Sequence, residues 1–150
     1  MKERRRLAGS AASALLAAVL LTACSGQNPT DDDGLATFSS MDDAYAAVDE
    51  VLQCETDPTG EPIVPADEGR LTSEQRLCAE NVQVDLYADA AALQTAYEIW
   101  SNSHQGTVHV VRGANWMVVD VTDVATGEPS TWDIESVADE LNGEYSAIGS

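Results

Sequence analysis

Residues 40–150 predict a single α+β domain in the order α-β-α-β-β-α. Its sheet is expected to be small, mainly antiparallel and three-stranded, with the helices packed mostly on one face. Three observations lead there: the hydrophobic period switches between 3.6 and 2 along the chain, Gly113-Ala114-Asn115 separates two β-rich runs, and no segment repeats. At 150 residues the chain has room for one domain.

The first helix follows from Met41, Ala44, Tyr45, Val48 and Leu52, an apolar stripe of helical spacing that starts behind Ser40 and has Asp43 in its first turn. Cys54 then falls at its end. Pro58, Gly60, Pro62 and Pro65 predict an irregular connection, and Thr72 with Gln75 predicts one or two capped helical turns within Leu71 to Glu80. From Val82 to Ala88 apolar and polar residues alternate, the pattern of a strand with one buried face. Asp89 caps a second helix carrying Leu93, Ala96, Tyr97 and Trp100, which Gly106 or its loop ends. The runs Thr107 to Arg112 and Trp116 to Val121 form a hairpin. Ile134, Val137, Ala138 and Leu141 mark a last helix, opened by Ser130 or Thr131 and closed by Gly143.

Upstream of the domain the chain changes character. Lys2, Arg4, Arg5 and Arg6 precede an apolar run from Ala11 to Leu21, the layout of an export signal over residues 1–23. That run is about half the ~20 residues a membrane-spanning helix needs. Leu21-Thr22-Ala23-Cys24 resembles the lipobox of bacterial lipoproteins: an aliphatic residue, two small ones and the cysteine that receives a diacylglycerol. The resemblance implies cleavage before Cys24, lipidation of Cys24, and attachment to the outer face of the cell membrane through the N-terminal lipid. Residues 24–39 then read as a lipidated cysteine and a disordered acidic tether. Asp31, Asp33 and Gly34 are spaced like part of a calcium loop. That register, however, puts Pro29 at the first ligand position and Ser40 at the closing one.

The formal charge of −19 averages two unlike pieces. Residues 1–23 hold four of the seven basic residues and one of the 26 acids, so residues 24–150 keep 25 acids against Arg70, Arg76 and Arg112, a formal −22 without one lysine. A field of that sign repels phosphate backbones and excludes nucleic acid as a partner. Three cysteines are odd for an exported chain, but giving Cys24 to the lipid leaves Cys54 and Cys78 to pair in an oxidising compartment. Their separation lacks the Cys-x-x-Cys spacing of a redox pair, so the bridge is expected to be structural.

The domain itself resembles a group of small actinobacterial lipoproteins of unknown function. The matching features are the helix ending near Cys54, Cys78 shortly before Val84-Asp85-Leu86-Tyr87, the acidic helix start at Asp89, and the Val110-Val111-x-Gly113-x-Asn115-Trp116 run. Ala114 stands where such chains carry Pro or Asp. The resemblance spans about Met41 to Val121 and implies a fold but no activity.

Residues with catalytic chemistry are few. The chain has no Gly-x-Ser-x-Gly, phosphate loop, dinucleotide fingerprint or His-Glu-x-x-His, so no cofactor is expected. His104 and His109 are five apart, which puts them on opposite faces of a strand and argues against a shared metal. His109 and Asp120 fall opposite each other in one hairpin register, as a base and its orienting acid would. Trp100, Trp116 and Trp132 are either a stacking platform for sugar or peptide or, the favoured reading in a chain with one Phe, pieces of the core, with Trp132 the one to test for exposure; Arg112 is either an ion-pair partner, the favoured reading, or a contact for an anionic ligand. Two function classes follow. The first is a lipid-anchored binding or accessory domain, not an enzyme, that meets an envelope component or protein through its sheet face or acidic surface. The alternative is a hydrolase or metal-dependent module whose site assembles around His109, Asp120 and Asp85.

Overall fold

The protein's structure, a computed structural model, describes residues 34–63, 71–102 and 104–149. The expected export signal, Cys24, and residues 24–33 of the expected tether lie outside them. Ser40 opens α1 (Met41–Leu52) as the spacing predicts: its hydroxyl accepts the Asp43 N–H at 3.1 Å and donates to the Asp43 carboxylate at 2.8 Å. With a second donor in Ser39, these hydroxyls hold the Asp43 carboxyl below its ordinary range. Met41, Ala44, Val48 and Leu52 face the core. Gln53, in the left-handed conformation, ends the helix, and Cys54 follows it into a disulfide with Cys78.

Leu71 to Glu80 is the first departure from the sequence reading. Instead of helical turns, Thr72–Ala79 is a strand, β1, joined through Glu80 and Asn81 to β2 (Val82–Tyr87). Glu, Gln, Arg, Leu and Ala there are good helix formers, but pairing along a whole neighbouring strand outweighs a propensity worth tenths of a kcal/mol per residue. Both faces of β2 are buried, not one: Val82, Val84 and Leu86 on one side, Gln83, Asp85 and Tyr87 on the other. After Asp89, whose carboxylate caps the helix by accepting the Ala92 N–H, comes α2 (Ala90–Ser101), then β3 (Val108–Arg112) and β4 (Trp116–Asp120) around the expected turn.

Two elements escape the sequence pattern. A five-residue helix, α3 (Thr122–Thr126), precedes α4 (Ile134–Leu141), and a final strand, β5 (Glu144–Ile148), follows. Asp133, rather than Ser130 or Thr131, caps α4, and the helix ends on left-handed Asn142 just ahead of Gly143. The sheet therefore has five strands, not three, all antiparallel in the order β1-β2-β4-β3-β5.

Helices cover both faces, which corrects the one-sided packing expected. α1 and α4 lie over Val82, Val84, Leu86, Val111, Trp116 and Val118. α2 lies on the opposite face, where Leu93 and Ala96 join Tyr87, Val108, Val110, Met117, Val119 and Ile148. Strand parity explains it: β3 and β4 present apolar residues at consecutive positions, Val110-Val111 and Trp116 to Val119, so one helical layer leaves half of them wet.

The folded part also begins earlier than Ser40. Ala36 and Phe38 are buried, the Trp116 indole N–H donates to the Ala36 carbonyl at 2.9 Å, and Asn115 both accepts the Phe38 N–H (3.0 Å) and donates to the Phe38 carbonyl (2.8 Å). Residues 34–39 are thus a strap on the β3–β4 turn rather than the end of a tether.

Candidate functional site

The cross-strand register places His109 opposite Asp120, the one hairpin register that would pair them. Both lie on the face covered by α1 and α4, together with Val111 and Val118. His109 is half-buried, and its Nδ1 is hydrogen bonded to the Tyr145 hydroxyl at 2.7 Å, with the two rings stacked at 6.1 Å. Partial burial and the negative charges of Glu135 and Asp120 hold the Tyr145 phenol above its ordinary pKa, so it stays protonated.

Asp120 is wholly buried and its carboxylate is spent on local bonds. Oδ1 accepts the Thr122 N–H (2.8 Å) and hydroxyl (2.6 Å), and Oδ2 accepts the Ser130 hydroxyl. Those contacts tie the end of β4 to α3 and to the loop before α4, a joining role for the carboxylate. Ser130 Oγ in turn accepts the Trp132 N–H at 3.1 Å.

Asp85, the third residue of the catalytic reading, is not brought to this pair. It pairs with Met117, whose side chain belongs to the α2 layer, whereas Trp116 and Val118 belong to the other. The sheet stands between Asp85 and the His109–Asp120 pair. His104 is exposed in the loop ahead of β3. Among the described residues, no group of three His, Cys, Asp or Glu side chains is placed to hold a metal ion.

Asp85 instead centres a buried polar cluster that the alternation in the sequence concealed. Its carboxylate accepts from Gln75 Nε2 (3.1 Å), from Gln83 Nε2 (3.0 and 2.9 Å) and from the Tyr87 hydroxyl (3.5 Å), while Gln83 Oε1 accepts the Ile63 N–H at 2.8 Å. All of its side-chain donors are neutral. Burial therefore dominates and pushes the Asp85 carboxyl up to about 6, against the lowering effect of these hydrogen bonds. Burial and the adjacent Asp85 charge likewise raise the Tyr87 phenol.

Because the folded pKa is raised, the native state holds a proton that the unfolded chain has already released between about pH 4 and pH 6. Stability from this group is thus greatest below pH 4 and is lost as pH rises through 6, by up to about 3 kcal/mol. Asp85→Asn is expected to be more stable than the parent by about 2 kcal/mol at pH 7.5 and no different at pH 4. Urea unfolding of both chains across that range checks it; parallel profiles would contradict the assignment.

Arg112 is an ion-pair partner, as its sequence context suggests. Its Nε and Nη2 donate to Glu144 Oε2 (2.9 and 2.7 Å), Nη1 donates to Gln94 Oε1 (3.1 Å), and the guanidinium lies 4.4 Å over the Tyr97 ring. Trp116 is fully buried and Trp100 is half-buried. Trp132, the one of the three to test for exposure, is half-buried against the core. No family model, curated protein or solved structure matches the chain.

Proposed function

We propose that the protein is an exported binding or accessory lipoprotein, held at the outer face of the cell membrane by a lipid on Cys24. The observation that carries this reading is Leu21-Thr22-Ala23-Cys24 behind a basic start and a short apolar run. Two others support it. Cys54 and Cys78 are bonded, a linkage at home in an oxidising compartment. No helix among the described residues is long and apolar enough to cross a membrane.

The acidic body adds no attraction of its own to an anionic leaflet. With Asp85 across the sheet from His109 and Asp120, the catalytic alternative built on those three residues loses its geometry.

Cys24→Ala tests the anchor. The parent is expected to fractionate with membranes and to carry the acyl mass on the residue that becomes its N-terminus. The variant is expected to lose that mass and pass to the soluble fraction. Membrane retention of Cys24→Ala without added mass would overturn the proposal.

A further inference from the structure

We propose that residues 55–63 are a proton-controlled cover over the buried polar cluster of Asp85, seated while that carboxyl is protonated and released when it ionises.

Asp85 is 2% exposed and accepts from Gln75, Gln83 and Tyr87, none of them charged. A protonated carboxyl suits this place. Its carbonyl oxygen keeps the glutamine bonds, and its O–H turns to the Tyr87 hydroxyl oxygen, which can accept as well as donate. A carboxylate suits it poorly, because no opposite charge offsets its burial. From β1, Glu74 and Arg76 pair with Leu86 and Val84 and so face the other layer. β4 brings Met117, and α2 brings Leu93 and Ala96. Glu55, Asp57 and Glu61 of the cover are exposed. The titratable neighbour is Tyr87, whose phenol is held above its ordinary value and stays protonated.

Water relieves such a charge, and it enters where the wall is weakest. β1 and β4 are held by strand pairing along β2, and α2 by its buried stripe. Residues 55–63 have no fully buried side chain, and half-buried Ile63 is their apolar contact with this layer. Among the described residues their N–H groups reach the rest of the domain at two places, each at 2.8 Å: Glu55 to the Cys78 carbonyl, and Ile63 to Gln83 Oε1. The Cys54–Cys78 bridge adjoins the first, so that end stays. The second depends on Gln83, whose Nε2 is itself bonded to the Asp85 carboxyl at 3.0 and 2.9 Å. Water that solvates the carboxylate takes over those bonds, and Ile63 is the end that lets go. A segment held this lightly opens at a fraction of the cost of global unfolding.

The closed domain keeps the Asp85 proton to about pH 6, whereas a solvated Asp85 releases it near pH 4. Opening therefore becomes more favourable as pH rises between those values, by up to about 100-fold. Gln83 and Asp85, hidden in the closed domain, are then presented according to pH.

Amide hydrogen exchange on the full chain with its disulfide intact tests this between pH 4 and pH 7.5. It is read at Ile63 and, for global unfolding, at Val118 in β4. After correction for the intrinsic rate, opening at Ile63 is expected to rise by up to about 100-fold over that range and to exceed opening at Val118 throughout. Asp85→Asn, which cannot ionise, is expected to keep Ile63 at its low-pH level across the range. A flat Ile63 profile in the parent, the same rise in Asp85→Asn, or exchange at Ile63 no faster than at Val118 would each overturn the proposal.

Discussion

Trp116→Ala is expected to lower the unfolding free energy by about 3–5 kcal/mol, the cost of emptying a fully enclosed aromatic site. Two losses combine in it. The ring packs edge-on against Phe38 at 5.5 Å in the core, and its N–H holds the Ala36 carbonyl, so the strap of residues 34–39 loses its hold on the β3–β4 turn. Trp116→Phe keeps most of the apolar contact and forfeits only the donor. The Ala36 carbonyl still accepts the Ala114 N–H at 2.9 Å, so a cost of about 1–2 kcal/mol is expected. Gly113 exists for the same ring: a Cβ there would sit 1.9 Å from the Trp116 indole nitrogen. Urea unfolding with amide exchange at Ala36 and Ala114 measures both effects. A loss below about 1 kcal/mol for Trp116→Ala, with unchanged exchange, would show that the strap is held by something else.

The second large effect is expected from Cys54→Ala with Cys78→Ala, at about 3 kcal/mol. The half-cystines close a loop across a separation of 24 residues with their Cα atoms 4.6 Å apart. Local bonds hold both ends without the sulfurs: the Cys54 N–H donates to Asp49 Oδ1 and the Glu55 N–H to the Cys78 carbonyl, each at 2.8 Å. The native state should therefore keep its shape, and the loss should arise mainly because the unfolded chain gains the freedom of an open loop. Alanine avoids burying a serine hydroxyl at the fully enclosed Cys78 position. A reducing agent added to the parent should reproduce the drop and leave the double variant unmoved. If the parent is equally stable reduced and oxidised, the bridge does not serve this purpose.

Local signals gave the elements they belong to. The Met41–Leu52 stripe with its Ser40 cap, the Asp89 cap of α2 and the Gly113-Ala114-Asn115 turn each act through neighbours within four residues, so composition and spacing suffice to place them. β1 and β5 carry no comparable signal. They are edge strands whose register is set by partners: β1 by the adjacent β2, and β5 by β3, which lies more than 30 residues upstream. Edge strands with one bare side need little apolar content, and Thr72-Ser73-Glu74-Gln75-Arg76 in β1 shows little. The candidate residues divide likewise. The His109–Asp120 pairing was legible because a hairpin register is local, whereas the place of Asp85 depended on which face of β2 each helix covers.

By itself the sequence determined the acidity of residues 24–150, the pairing of Cys54 with Cys78 and the helices with clear stripes, all properties of adjacent residues or of simple counts. The tertiary structure alone decided that the sheet has five strands covered on both faces, that Ala36 and Phe38 belong to the core, and that Asp85 is buried among neutral donors away from His109. Those outcomes come from contacts between segments distant in sequence, where burial on two faces of one sheet outweighs the local preference of any one segment.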